Sequence, residues 1–108
     1  MRIEFADTYT ASIFVTGENV VEACQKYCNT RGLCVTITET LHVYTGGQEK
    51  GYIIGLINYP RFPKSTSELE EIAHDLAHYV FEQTNYEGSF TIQTSVETAF
   101  VSNRPQDN

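Results

Sequence analysis

The chain of 108 residues is short of basic residues, and the shortage is concentrated in its second half. No Lys or Arg occurs between Ser65 and Asn103, a stretch whose seven acidic residues equal the net charge of −7 of the whole chain. Direct binding of nucleic acid needs a positive surface, so we expect none. An acidic surface fits a basic protein partner, although it can equally be a face that only keeps the chain solvated. We place the acidic partner face at four residues, Glu70, Glu71, Asp75 and Glu82.

Long apolar runs are absent as well. No run approaches the ~20 apolar residues of a membrane-spanning helix, so we expect no membrane association. The first residues alternate in polarity and include Glu4 and Asp7, whereas a signal peptide has a continuous apolar region. We therefore expect no signal peptide and a cytoplasmic protein.

Cysteine is scarce, and its spacing does not fit a metal or redox motif. The three cysteines, Cys24, Cys28 and Cys34, are too few and odd in number for a full disulfide framework, and no C-x-x-C pair occurs. We expect them to be small buried residues of a protein from a reducing compartment. Metal binding and redox chemistry stay open as alternatives, and we expect no cofactor.

Catalytic motifs are missing. The sequence has neither a G-x-S-x-G nucleophile elbow nor the glycine pattern of a Walker phosphate loop. His74 and His78 have the i, i+4 spacing of a helical metal-binding pair, but not within an H-E-x-x-H motif. A helical wheel puts both on the solvent face, where a catalytic site would lack a water-excluding cavity. We therefore expect no metal centre and no catalytic residue, and His74 and His78 are the candidates for any metal that does bind.

The chain does contain enough apolar residues for a core, because they make up 41% of its length. Alternating polarity and β-branched residues predict strands, and apolar residues at helical spacing predict helices. Thr16 is the expected N-cap of the first helix, Gly32 its C-terminal stop, and Gly46–Gly51 a hairpin loop. The predicted strands are Tyr9–Val15, Leu33–Thr45, Gly51–Asn58 and Ser89–Thr94, and the helices run from Thr16 to Gly32 and from about Ser65 to Thr84.

This order predicts a ferredoxin-like βαββαβ sandwich, an α+β fold with a four-stranded antiparallel sheet and both helices on one face. Thr98–Ser102 either continues the last strand after a bend or forms a short fifth strand. We expect a single domain over residues 1–102, a turn at Asn85–Gly88 and a polar tail at residues 103–108.

One face of such a sheet carries no helices, and its predicted residues are aromatic or β-branched. Exposed side chains of this kind would pack against a second sheet. We therefore expect a homo-oligomer with an interface at Phe14, Thr38, His42 and Tyr44, while a solvated face and a ligand platform remain alternatives.

A small-anion site is the second candidate. Arg61 and Lys64 stand before a helix start, where free backbone amides and the helix dipole favour negative charge. The hydroxyls of Ser65, Thr66 and Ser67 would complete the site, although Ser and Thr at these positions are also ordinary helix caps.

These observations lead to two hypotheses. The first is a small, acidic, non-enzymatic module that works through self-association and protein binding. A specific version is an inhibitor that occupies a basic nucleic-acid-binding protein, of the kind that phages and other mobile elements encode. The alternative is a protein that binds a small anionic ligand, or an enzyme acting on one, at the Arg61–Ser67 helix start.

Overall fold

The structure, a computed structural model, describes residues 1–84 and 89–102 and contains the predicted α+β fold. The turn predicted at 85–88 and the tail predicted at 103–108 lie outside the described residues. The elements are β1 (Thr10–Thr16), α1 (Val20–Arg31), β2 (Thr36–Tyr44), β3 (Gly47–Ile57), α2 (Thr66–Thr84), β4 (Ser89–Thr94) and β5 (Thr98–Ser102).

The five strands form one antiparallel sheet in the order β2-β3-β1-β4-β5, so the ferredoxin-like order is kept and β5 is added at the edge beside β4. The alternation of polarity sets which side chains face the helices. One row of paired residues crosses all five strands on that face, and its members are Ile37, Ile54, Ile13, Ile92 and Ala99. The three central isoleucines of this row are fully buried, which identifies the row as the base of the core.

Both helices cover this face of the sheet. α2 buries Leu69, Ala73, Leu76, Ala77 and Val80, as its apolar spacing predicts, and adds Phe81, whose ring lies 4.8 Å from the ring of Phe90 on β4. α1 buries Val20, Ala23, Cys24 and Tyr27 in the same core. The prediction of both helices on one face is therefore confirmed.

The start of α1 differs from the prediction. Thr16 is the buried last residue of β1, and the N-cap position belongs to Asn19, whose φ of 64° is left-handed and whose side chain makes no capping hydrogen bond. Thr16 cannot cap the helix because the sheet continues through it and three residues separate it from the first turn. The predicted stop is confirmed, since Gly32 adopts a φ of 67° and its amide donates to the Cys28 carbonyl.

The hairpin between β2 and β3 is tighter than predicted. Tyr44 pairs with Gly47, so only Thr45 and Gly46 form the turn. Polar residues Gln48, Glu49 and Lys50 led to the prediction of a loop, but they pair with β2 as part of β3. Polar side chains are compatible with a ladder whose two faces are open to solvent, since backbone hydrogen bonds hold it.

The open face of the sheet is the one that neither α1 nor α2 covers. Two glycines of β3 test how closely side chains pack on this face. A Cβ at Gly51 would meet the Val15 carbonyl oxygen and would lie 2.7 Å from Cε1 of His42, whereas a Cβ at Gly55 would meet the Thr36 hydroxyl at 2.6 Å. A hydroxyl can rotate away, but a carbonyl in the ladder cannot. We expect Gly51→Ala to lower the free energy of unfolding by about 2–3 kcal/mol, measured by urea denaturation.

Gly55→Ala serves as the matched control and should cost less than about 1 kcal/mol. Equal losses for the two variants would contradict the packing described here.

Candidate functional site

The candidate site begins at Asn58, which directly follows β3. Its side chain is 9% exposed, and its amide nitrogen donates to the Asp7 carbonyl at 2.8 Å. Its side-chain oxygen accepts a hydrogen bond from the Lys64 amide at 2.7 Å, and its own amide donates to the Tyr9 carbonyl at 3.1 Å. Asn58 therefore fixes the chain before β1 and the approach to α2 at one point.

The approach to α2 ends in a capping box. The Glu68 amide donates to the Ser65 hydroxyl at 3.1 Å, and the Ser65 amide donates to the Glu68 carboxylate at 3.2 Å. Of the two capping-box spacings in the sequence, Ser65 with Glu68 is the one that the structure uses, because α2 starts at Thr66 and Ser67 already lies inside it. The Ser65 hydroxyl is thus engaged in holding the helix end.

A cavity of about 830 Å³ lies beside this segment. The end of β3, the loop before α2, the turn after α1 and the first residues of the chain enclose it. Its wall is formed by Arg2, Glu4, Gly32, Leu33, Cys34, Leu56, Ile57, Tyr59, Pro60, Arg61, Phe62, Lys64 and Leu69. Arg61 and Lys64, predicted to bind an anion, both belong to this wall.

The three hydroxyl residues of the predicted anion site are placed differently. Ser65 caps α2, and Thr66 and Ser67 form its first turn. None of the three belongs to the described wall of the cavity. Arg61 and Lys64 therefore line the same cavity, but the three hydroxyl residues do not join them there. The anion site itself stays a prediction.

Tyr59 and Cys34 are wall residues that the sequence did not assign to a site. Of the three cysteines expected to be buried, Cys24 is buried and Cys28 partly buried, but Cys34 is exposed because it follows the turn after α1 and lies on the cavity wall. Cys34 Sγ lies 3.5 Å from the Tyr59 hydroxyl, although 25 positions separate them in the chain. The hydrogen bond with Cys34, together with partial burial, raises the pKa of the Tyr59 phenol above its usual value. Tyr59 is therefore a protonated hydrogen-bond donor at neutral pH rather than a base.

The cavity is mixed in character. Leu33, Ile57 and Phe62 form its apolar walls. The guanidinium carbon of Arg61 lies over the Phe62 ring, 5.6 Å from the ring centre. Among the residues that the structure describes, three cations and one carboxylate line it: Arg2, Arg61, Lys64 and Glu4. In a chain with a net charge of −7, this local excess of positive charge favours an anionic group on a bound ligand.

A second cavity, of about 820 Å³, lies between the β1–α1 turn and the β2–β3 hairpin. Its charged lining residues are Glu18, Glu22, Glu39, Glu49 and Lys50. This excess of carboxylates opposes the small anionic ligand that the sequence predicts, whereas the cations of the cavity beside Tyr59 favour it.

The predicted interface residues lie on the open face of the sheet, as the strand pattern indicates. Thr38 and Phe14 share a row with Ile53, Thr91 and Phe100, and Phe100 is 71% exposed. His42 packs over Gly51, and its Nδ1 atom is buried without a hydrogen-bond partner in the described part of the chain. Tyr44 is exposed at the hairpin end. Association through this face stays a prediction.

The four residues of the predicted acidic face lie in different environments. Asp75 accepts a hydrogen bond from Tyr27 at 2.7 Å and pairs with Arg31 at 3.1 Å, so it joins α2 to α1. Glu71 and Glu82 are exposed, and Glu70 is half-buried beside the start of β1. One of the four acids therefore has a structural role.

The two histidines lie on α2, His74 half-buried and His78 exposed. Within residues 1–84 and 89–102, no three His, Cys, Asp or Glu side chains come together as metal ligands. No helix in this described part is long and apolar enough to cross a membrane.

Comparison with known proteins identifies the fold but no sequence family. No protein-family model matches the chain, and no curated protein matches it in sequence. It is similar to a solved phage SAM lyase in complex with S-methyl-5'-thioadenosine, with a TM-score of 0.73 and 16% identity over 94% of this chain and 95% of that one. It is also similar to a phage SAM lyase in the apo state, with a TM-score of 0.63 and 16% identity over 92% of each chain.

The hypothesis of a non-enzymatic binding module was wrong on this comparison. The solved structures that share the fold over nearly the whole chain are those of an enzyme, and they favour the alternative, a protein acting on a small ligand. The sequence left the question of an enzyme open and leaned against one, whereas these structures point weakly toward an enzyme. The phage source agrees with the mobile-element part of the hypothesis, whereas neither comparison supports an inhibitor, a basic partner or a homo-oligomer.

The role of Asn58 can be tested by removing its side chain. Asn58→Ala leaves the Lys64 amide and the Asp7 carbonyl without their partner, so we expect unfolding free energy to fall by about 1–3 kcal/mol in urea denaturation. Asn29→Ala is the control, since Asn29 makes one exposed hydrogen bond to Gln25 on α1, and it should stay within about 0.5 kcal/mol of the wild type. Similar losses in both variants would show that Asn58 is not a special anchor.

The cysteines should differ in reactivity because only the thiolate is the nucleophile. Cys24 is buried, and its burial, with Cys28 nearby, raises its pKa to about 12, while Cys34 is exposed on the cavity wall. At pH 8, we expect iodoacetamide to modify Cys34 first, Cys28 more slowly, and Cys24 only after unfolding. Peptide mass spectrometry measures the order, and early labelling of Cys24 would contradict it.

Proposed function

We propose that the protein is an enzyme that cleaves S-adenosylmethionine (SAM), or a closely related adenosyl sulfonium compound, in the cavity beside Tyr59. The observation that carries this proposal is the fold match, over 94% of this chain, to a lyase holding S-methyl-5'-thioadenosine. This thioether is what remains of SAM when the bond from sulfur to the methionyl chain is broken.

The cavity has the size and the surfaces that such a ligand needs. Its volume of about 830 Å³ lies in the range of small-molecule sites. The aromatic rings of Tyr59 and Phe62 offer faces on which a nucleobase stacks, and the same faces attract a sulfonium cation. Leu33 and Ile57 supply apolar surface for the ribose and thioether region.

The charged wall suits the other end of the substrate. SAM carries a carboxylate on its methionyl chain, and Arg61 and Lys64 are cations of the same cavity. A carboxylate held by an Arg or Lys forms charge-assisted hydrogen bonds, which are stronger than neutral ones. This interaction would fix the methionyl chain relative to the adenosyl group.

Cleavage of the sulfonium needs positioning more than a strong base. The electron pair of the bond between sulfur and the γ-carbon moves to sulfur, which leaves as a neutral thioether. A lyase adds no water, so the methionyl fragment must restore the valence of its γ-carbon by an internal reaction. It either closes its carboxylate onto the γ-carbon, giving a lactone, or loses a proton from the β-carbon to a water molecule, giving an alkene. Holding the chain in a reactive conformation lowers the barrier to either step.

Tyr59 is the side chain that we propose for ligand positioning. Its raised pKa keeps the phenol protonated, so it donates a hydrogen bond from a fixed place beside Cys34. It stands next to Pro60, whose ring restricts the backbone of the loop. A donor that is held in place before the ligand binds costs less entropy to engage.

The proposal is tested by incubating the purified protein with SAM and measuring S-methyl-5'-thioadenosine by liquid chromatography and mass spectrometry. We expect production above the rate without protein, a loss of about tenfold in kcat/KM for Tyr59→Phe, and a raised KM for Arg61→Ala. His78→Ala, on the exposed side of α2, is the control and should keep the wild-type rate.

Absence of the thioether product would overturn the proposal of a SAM-cleaving enzyme. Equal activity of Tyr59→Phe and the wild type would instead remove Tyr59 from the site.

A further inference from the structure

The segment Met1–Thr8 forms part of the cavity wall although it belongs to no helix or strand. It is held by the hydrogen bond from Asn58 to the Asp7 carbonyl, and β1 begins two residues after it. Arg2 and Glu4 line the cavity, and Ile3 and Phe5 do not belong to its wall. The segment thus presents a charged edge to the cavity.

This edge adds a carboxylate to a cavity whose other described charged residues are cations. Arg61 and Lys64 can hold a carboxylate, but neither can accept a hydrogen bond from an ammonium group. Among the residues that the structure describes, Glu4 is the one carboxylate in the wall. It pairs with Arg2 at 3.0 Å, and its side chain is 36% exposed compared with 87% for Arg2. Glu4 is therefore the more shielded partner, and its ion pair with the solvent-exposed Arg2 is a weak surface contact.

An α-amino acid group carries both charges, an ammonium and a carboxylate on the same carbon. A wall that contains the cations Arg61 and Lys64 and the carboxylate of Glu4 offers a partner to each of these charges. We propose that Glu4 binds the α-ammonium group of the ligand, so that the Met1–Thr8 segment selects ligands with an amino acid end. This inference rests on the proposed function, since it concerns the methionyl end of the same ligand.

The test compares two ligands that share adenosine and a thioether sulfur. S-adenosylhomocysteine ends in an α-amino acid group, and S-methyl-5'-thioadenosine ends in a methyl group. Isothermal titration calorimetry of the full chain should show tighter binding of S-adenosylhomocysteine. Glu4→Gln should weaken that ligand by about fivefold, a size set by the partial exposure of Glu4, and should leave the methyl-ended ligand within about twofold.

Two further variants sharpen the comparison. Glu4→Lys puts a cation where the ammonium would lie, so it should weaken S-adenosylhomocysteine more than Glu4→Gln does. Glu22→Gln removes one negative charge from α1, outside the wall of this cavity, and should change neither ligand. This control separates a local contact from the effect of net charge.

The outcomes distinguish the two proposals. If the wild type binds the methyl-ended ligand but gains nothing from the amino acid end, or if Glu4→Gln weakens both ligands equally, the Glu4 subsite is wrong while the adenosyl site survives. If the wild type binds neither ligand, the proposed function fails and the subsite fails with it.

Discussion

The hydrogen bonds of Asn58 are the constraint on which the candidate site depends. A buried amide must satisfy both its donor and its acceptor, and Asn58 does so with two segments that lie far apart in the chain, at Asp7 and at Lys64. The end of β3 therefore fixes both the segment before β1 and the loop before α2. The cavity lies between these segments, so its shape depends on the hydrogen bonds that the Asn58 side chain makes to them.

Other residues of the loop before α2 also restrain its conformation. Pro60 and Pro63 restrict its backbone, and the Ser65–Glu68 capping box sets where the helix begins. Between these fixed points stand Tyr59, Arg61 and Lys64. A binding wall built on a restrained loop loses little entropy when a ligand enters, and this agrees with an enzyme that works by holding its substrate in one conformation.

The fold was predictable from the sequence because its determinants are local. Period-2 alternation at Ile13 and at Ile37 sets the sheet faces, and the apolar stripe from Leu69 to Val80 sets the buried face of α2. The errors arose where the local signal was ambiguous. Thr16 is a good helix cap by residue type, and Gln48–Lys50 is polar enough for a loop, but strand pairing decided both.

The site was predictable only in part. Arg61 and Lys64 stand out because basic residues are rare near a helix start, and both lie in the cavity wall. Glu4, Cys34 and Tyr59 meet them only through tertiary structure, and no spacing in the sequence links these positions. The proposed activity was beyond prediction for a similar reason, since the chain carries no local catalytic motif and the residues proposed to contact the ligand come from separate segments of the chain.

The sheet and the layer of helices that covers it differ in length. The β2–β3 ladder runs to the pair Tyr44–Gly47, yet Leu41 and Val43, on the face that the helices cover elsewhere, are 47% and 73% exposed. The helical layer therefore ends before the hairpin does. Neither α1 nor α2 covers the outer part of the hairpin, so we expect it to open by local fluctuation while the row through Ile13 and Ile54 stays closed. Amide hydrogen exchange would then follow local opening at the hairpin tip and global unfolding at the central strands.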